Sequence, residues 1–311
     1  MRKALLSLAA LATASAAAAQ VIVTIDYRPP ETVQRVAIPV NPKEARLKVL
    51  IISGQNSYEH DWTGVNNALR TLLQDSKRFD VRVTEDFDHG TLETLKAYDV
   101  VILNYSSRWN YADPAQHLWS PQAFAALNQY VREGGGLVAY HSSFTWGRDI
   151  PEYKALVGAV MEPGSSRRSP PGAFAVHLTD RDHPITAGMR EYVWTYNDDM
   201  YTNMAFAPDA AIHVLATARD SSASYDHRLT GPKYPAEAYT PDKLKAMKGM
   251  DADHPQVWTQ DYGKGRVFSI TLGHDEVSLH FQPLQTLILR GTEWAATGKV
   301  TLPVLEEAKD Y

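Results

Sequence analysis

Apolar residues in this chain fall into short unbroken blocks, separated by longer segments in which they recur every three or four positions. Leu47-Lys48-Val49-Leu50-Ile51-Ile52-Ser53-Gly54 is one block, residues 98–105 are another, and Gly134-Gly135-Gly136-Leu137-Val138-Ala139-Tyr140 leads into a third. Runs of this length read as strands buried on both faces, as in a parallel sheet. Residues 79–84 alternate apolar and polar and predict a further strand. Helices are expected at about 63–73, opened by Asp61 or Thr63, at about 92–96, and from Pro121 to about 133. Ser120 is placed to cap the last of these, with Pro121 at its first helical position. Strand and helix therefore alternate, which predicts a doubly wound, mostly parallel α/β sheet.

After His141 the pattern loosens. Residues 174–178, 192–197 and 212–218 read as short strands, and 161–173 and 220–250 as loops. Residues 256–260 and 266–272 flank Tyr262-Gly263-Lys264-Gly265, a strong hairpin signal, and a final helix is expected at about 281–296. The first nineteen residues have the form of a signal peptide. Arg2 and Lys3 precede a short apolar stretch, and Ala17-Ala18-Ala19 supplies the small residues for cleavage. Residues 20–46 read as an extended lead-in, 47–298 as one domain and 299–311 as a tail. No segment has the length and hydrophobicity of a membrane span. A periplasmic or secreted protein is expected.

Composition removes several function classes. The net charge of −5 gives no electrostatic footprint for nucleic acid. The chain has no cysteine, which excludes disulfides, thiolate nucleophiles and cysteine-based metal sites. The three glycines precede a strand rather than open a helix, the wrong context for a phosphate loop, so neither a nucleotide nor a flavin is expected.

Chemistry concentrates on histidines. His60, His141 and His274 all follow predicted strands or their loops, and ligands of open α/β sheets gather at the carboxyl ends of strands. Three imidazoles there suit a divalent, zinc-like metal site with an open position. They equally suit general acid and base work near neutrality. Asp198, Asp199 and Tyr201 form a second group, able to orient a histidine or to meet sugar hydroxyls. Trp62, Tyr105 and Trp109 lie on strand-end loops and are candidates for stacking on a sugar ring; Ser142 adjoins His141. His183, His254 and His177 read as structural, and the other histidines as surface.

Several motifs occur together in order: His60-Asp61-Trp62, Gly134-Gly135-Gly136 running to His141, Asp182-His183-Pro184-Ile185-Thr186-Ala187-Gly188, Asp198-Asp199-Met200-Tyr201, His254-Pro255-Gln256-Val257-Trp258, and Tyr262-Gly263-Lys264-Gly265-Arg266-Val267 ending in Leu272-Gly273-His274-Asp275. Over residues 47–298 the chain resembles the trehalose-utilisation (ThuA-like) family. The resemblance implies a class I glutamine amidotransferase-like, flavodoxin-related fold with a C-terminal hairpin and helix, and a link to carbohydrates, including oxidised keto-sugars. It departs from amidotransferases where their cysteine nucleophile stands, because this chain has His141 there. His274-Asp275-Glu276 keeps their His-x-Glu spacing. Glutaminase chemistry is therefore excluded. The expected function is an exported enzyme acting on a small sugar, glycoside or keto-sugar by hydrolysis, elimination or isomerisation. His141, His274, Glu276 and Asp199 would be its catalytic groups. A non-catalytic periplasmic sugar-binding module is the alternative.

Overall fold

In the computed structural model, residues 46–54, 60–106, 119–225 and 236–310 are described. The expected leader and lead-in, and Trp109, lie outside them. The described residues all fall within one compact unit. Among the described residues no helix is long and apolar enough to cross a membrane.

The first half alternates as expected. Strand β1 (Leu47–Gly54) is followed by helix α1 (Trp62–Asp75), β2 (Phe79–Thr84), α2 (Leu92–Leu95), β3 (Val100–Tyr105), α3 (Pro121–Arg132) and β4 (Gly136–Tyr140). Asp61 caps α1 by accepting from the Gly64 amide at 2.9 Å. Ser120 does the same for α3 through the Ala123 amide at 3.2 Å, each satisfying an otherwise orphaned donor. Next come α4 (Pro151–Val157), β5 (Ala159–Val160), β6 (Arg167–Arg168), β7 (Gly172–Leu178), β8 (Tyr192–Asp198), β9 (Tyr201–Thr202), β10 (Ala205–Phe206) and β11 (His213–Arg219). Helix α5 (Pro241–Ala246), β12 (Asp253–Tyr262), β13 (Gly265–Ile270) and α6 (Gln282–Thr297) complete the fold.

Nine strands form the central sheet, in the order β2-β1-β3-β4-β13-β12-β11-β7-β8. From β2 to β13 every pairing is parallel. The β12–β13 hairpin then reverses direction, and β11, β7 and β8 continue antiparallel. The parallel half is buried on both faces because successive side chains point to opposite sides. Val49 and Ile51 join the core layer that includes α1 and α6, whereas Leu50 and Ile52 join the layer that includes α3 and α4. Each fully buried aliphatic side chain contributes about 1.5–3 kcal/mol.

The last glycine of the run is explained by the packing of α6. A Cβ on Gly136 would stand 2.5 Å from the carbonyl oxygen of Ala295, so the last turn of α6 lies directly on the start of β4. The strand order 2-1-3-4 places a topological switch between β1 and β3, where ligands of such sheets bind. Three chain segments end near that edge: residue 60 after β1, residue 141 after β4 and residue 274 after β13.

Candidate functional site

His141 stands where β4 turns sharply into a single 3-10 turn, His141–Phe144. Its φ of +33° is one that an L-residue rarely adopts. Such strain costs on the order of 1–3 kcal/mol and needs a surrounding structure that enforces it. Here the ring is fixed by its Nδ1, which donates to the Thr271 carbonyl at 2.5 Å. That bond settles the tautomer and leaves the Nε2 lone pair facing Asp199 Oδ1 at 3.5 Å and the Tyr201 hydroxyl at 3.5 Å.

The other two histidines close on the same point. Ring centroids lie 4.9 Å apart for His60 and His141, 4.8 Å for His60 and His274, and 5.4 Å for His141 and His274. One ring nitrogen from each lies within 4.8 Å of the others, a set of atoms able to hold a metal ion. Around a tetrahedral ion with bonds of about 2.0–2.1 Å, ligand nitrogens stand about 3.4 Å apart, so the rings must draw closer by up to about 1.4 Å to share one. Asp199 Oδ2 lies 3.5 Å from His274 Nδ1 and 3.5 Å from Arg168 Nη1. Three polar atoms of the cluster are buried without a hydrogen-bond partner: His60 Nδ1, His274 Nδ1 and Asp199 Oδ1. Orphaned buried polar atoms are rare because each carries a full desolvation cost. Several of them lie around one point, beside nitrogens that could hold a metal ion.

Protonation in the cluster follows from burial and charge. Burial, reinforced by the neighbouring His274, pushes His60 down to about 4. Burial also drives His141 well below its ordinary value, more strongly than the Asp199 carboxylate raises it. Both rings are therefore neutral near pH 7, as metal ligation requires. For His274 burial also opposes the charged form, but Asp199, then Asp198 and Asp275, outweigh it and raise the pKa. Asp199 is held below the usual carboxylate range despite burial, because His141, His274 and Arg168 surround it. Burial and the adjacent Asp199 raise Asp198 to about 7.

Not every expected residue reaches the cluster. Asp198, expected to meet substrate, is fully buried. It accepts from the Gly273 amide at 2.9 Å, the His274 amide at 3.1 Å, the Asp199 amide at 3.1 Å and the Thr195 hydroxyl at 2.8 Å. These bonds use both of its oxygens, so its place is to staple the end of β8 to the loop that carries His274. Tyr105, expected to stack on a sugar, lies instead in a core of aromatic rings. Its centroid is 5.0 Å from that of Trp119 and 6.4 Å from that of Trp146. Glu276 is exposed over the first turn of α1, where a Cβ on Gly64 would meet its Oε2 at 2.8 Å. Asp199, rather than Glu276, is the carboxylate beside the His274 ring. Trp62 is half-buried as the first residue of α1, and Ser142 is buried with its hydroxyl unpartnered. Tyr201 is fully buried and belongs to the site through His141.

The main residue that sequence reasoning missed is Arg168, placed in a segment read as a loop. Strand β6 pairs with β9 so that Arg168 stands opposite Tyr201. Its Nη1 then lies 3.2 Å from His60 Nε2. Two adjacent arginines in an otherwise Gly-, Ser- and Pro-rich stretch were the available signal. His254 and His183 are structural, as expected. His254 Nδ1 accepts from the Asn203 amide at 3.3 Å while its Nε2 contacts the Gly249 carbonyl at 2.9 Å, and His183 Nδ1 accepts from the Ile185 amide at 3.2 Å. A groove of about 510 Å³ lined by Trp119, Phe124, Trp146 and Ile150 contains none of the three histidines.

A 2-1-3-4 open sheet with a histidine–aspartate cluster at its carboxyl edge defines an open α/β protein whose candidate chemistry is carried by imidazoles. Residues 48–295 match the family described as trehalose utilisation, ThuA. The chain belongs to that family, which links it to carbohydrate metabolism. Solved structures share the fold. A ThuA-like protein from Parabacteroides merdae is 24% identical with a TM-score of 0.66, over 85% of this chain and 95% of that one. One from Bacteroides uniformis is 20% identical with a TM-score of 0.59, over 85% and 96%. A cytoplasmic protein from Salmonella typhimurium is 15% identical with a TM-score of 0.50, over 80% and 99%. No curated protein matches the chain.

Proposed function

We propose that this protein is an exported enzyme acting on a sugar, glycoside or keto-sugar, and that His60, His141 and His274 hold one divalent, zinc-like cation for that chemistry. The observation that carries the reading is the approach of three imidazole nitrogens to within 4.8 Å, beside an Asp199 oxygen buried without a partner. Held there, a cation supplies Lewis acidity toward a sugar carbonyl or hydroxyl oxygen. The protein groups do the rest. The bond from His141 Nδ1 to the Thr271 carbonyl orients its ring, the usual support for a ligating histidine. Asp199 is kept ionised, and its negative charge supports the cation and the His274 ring beside it. The Tyr201 hydroxyl, 3.5 Å from His141 Nε2, is placed to donate to a substrate oxygen.

Proton transfer beside a carbonyl, with hydrolysis, elimination or isomerisation as the outcome, fits these groups. Thiol chemistry does not, since the chain has no cysteine. The test is an NMR time course of disaccharides, glycosides and their keto derivatives with zinc-loaded protein. Turnover lost in Asp199→Asn and His141→Ala supports the reading. Saturable binding with no product over long incubation would instead show the sugar-binding module. Amino-terminal sequencing of secreted material, beginning at Gln20, tests export.

A further inference from the structure

Strand β12 carries the motif His254-Pro255-Gln256-Val257-Trp258, and its pairing with β11 shifts register there. Ala216 stands opposite Val257 and Thr217 opposite Pro255, so Gln256 is one extra residue on β12. An extra residue of this kind makes a β-bulge, which re-aims a side chain. The Gln256 side chain is fully buried. Its amide offers two acceptor and two donor positions, and all four are filled. Oε1 accepts from the Thr271 hydroxyl at 2.5 Å and from the Tyr201 amide at 3.3 Å. Nε2 donates to the Tyr201 carbonyl at 2.8 Å and to the His254 carbonyl at 3.1 Å. A backbone N–H must donate and a carbonyl must accept, so the network fixes which end of the amide is which.

Thr271 and Tyr201 are the residues that meet the two nitrogens of the His141 ring. The Thr271 carbonyl takes Nδ1 at 2.5 Å, and the Tyr201 hydroxyl lies 3.5 Å from Nε2. One buried side chain therefore holds both neighbours of that ring. Tyr201 belongs to β9, which pairs with β6 in a two-stranded sheet apart from the central one. Side chains of β12 fasten it to the main sheet: Gln256 grips both backbone groups of Tyr201, and His254 Nδ1 accepts from the Asn203 amide at 3.3 Å. His141 needs such support, because its φ of +33° persists only where the surroundings enforce it.

We infer that Gln256 is a positioning residue for His141. Through Thr271 it sets the carbonyl that orients the ring, and through Tyr201 it sets the hydroxyl that faces the other ring nitrogen. This rests on the reading of His141 as a working group of the site and assigns what keeps it in place.

The test is NMR of the isotope-labelled full chain, free of zinc, reading the Nδ1 proton of His141. Its chemical shift and its exchange with water report the bond to the Thr271 carbonyl. Gln256→Met keeps the length of the side chain and removes the amide. Exchange is expected to quicken at least about tenfold, the scale of one hydrogen bond, while thermal unfolding shows a folded protein. Thr271→Val keeps the carbonyl but removes the hydroxyl that Gln256 holds, so it moves the signal the same way by less. The double variant changes it by less than the two single effects combined, as expected of residues in one network. Leu73→Ala, a core truncation toward the far end of α1, lowers stability and leaves the signal in place. An unchanged signal in folded Gln256→Met, additive effects in the double variant, or an equal change in Leu73→Ala overturns the proposal. If Gln256→Met does not fold, an unchanged signal in Thr271→Val overturns it. Zinc affinity is scored separately and falls about 10–100-fold in Gln256→Met, as it does on loss of outer-shell support. Wild-type protein that binds no zinc would remove the metal reading, and the comparison in zinc-free protein would still decide the role of Gln256.

Discussion

The Nε2 atom of His141 faces Asp199 Oδ1 at 3.5 Å, while the other nitrogen of the same ring is committed to the Thr271 carbonyl. A lone pair therefore meets a carboxylate oxygen inside the protein with no proton supplied between them. A cation is what that arrangement lacks, and His60 and His274 are within reach of the same point. Replacing His141 or His274 with alanine removes one of three ligands. Zinc affinity is expected to fall by at least about 100-fold in either variant, beyond the roughly 10–100-fold typical of lost outer-shell support. Competition with a chromophoric chelator measures it, and an affinity within threefold of wild type (about 0.7 kcal/mol) would contradict the ligand assignment.

Buried neutral histidines make the fold sensitive to acid. The folded pKa of His60 is depressed to about 4 from an ordinary 6.5. The unfolded chain thus takes up a proton below pH 6.5 that the folded chain refuses until about pH 4. Stability contributed by the neutral ring is present above pH 6.5 and is lost as pH falls toward 4, at about 1.4 kcal/mol per pH unit for one such group. His141 shifts in the same direction. Urea denaturation at pH 7 and pH 5 should show a drop that shrinks in His60→Gln. An unchanged pH slope would show that His60 is not buried neutral.

His274 has the opposite sign. Its raised folded pKa contributes stability that is complete below its unfolded pKa and disappears as pH rises through the folded value. Its proton must also leave before the ring nitrogen can ligate. Zinc affinity should therefore climb with pH through the folded pKa of His274. In Asp199→Asn that rise should move to lower pH, because the chief group raising the pKa is gone. NMR titration of the His274 ring follows the shift directly.

Asp198 holds the scaffold. Asp198→Asn places an amide NH₂ among donors that need acceptors, and the expected loss is about 1–3 kcal/mol, read from chemical unfolding. Tyr105→Ala should cost about 3–5 kcal/mol through lost aromatic packing and leave ligand affinity unchanged. A binding defect without a stability defect in Tyr105→Ala would return that residue to the site.

The sequence showed most of the parallel half and less of the rest, for physical reasons. Strands β1, β3 and β4 are buried on both faces, so their apolar runs are continuous and their ends sharp. The β12–β13 hairpin carries its own turn residues. Strands β5, β6, β9 and β10 have two residues each, too few for any period, and α4 is only seven residues long. Arg168 acquires its place by pairing with Tyr201, 33 positions away, and no local pattern encodes that. Asp198 and Asp199 are adjacent and chemically alike, yet one is saturated by amides and the other faces the histidines. Asp198 ends β8 and Asp199 lies just beyond it, and nothing in the local pattern reports which of the two faces the histidines. The three histidines were legible because each follows a strand whose end the pattern located.

The central claim is that His60, His141 and His274 share one cation. Elemental analysis of protein purified without chelators and then equilibrated with zinc tests it most directly, with the triple variant His60→Gln/His141→Gln/His274→Gln alongside. The account predicts about one zinc per wild-type chain and close to none in the triple variant, the tetrahedral-site expectation for one ion on three histidines. Wild-type protein that keeps no metal while folded, or a triple variant that keeps as much as wild type, would contradict it.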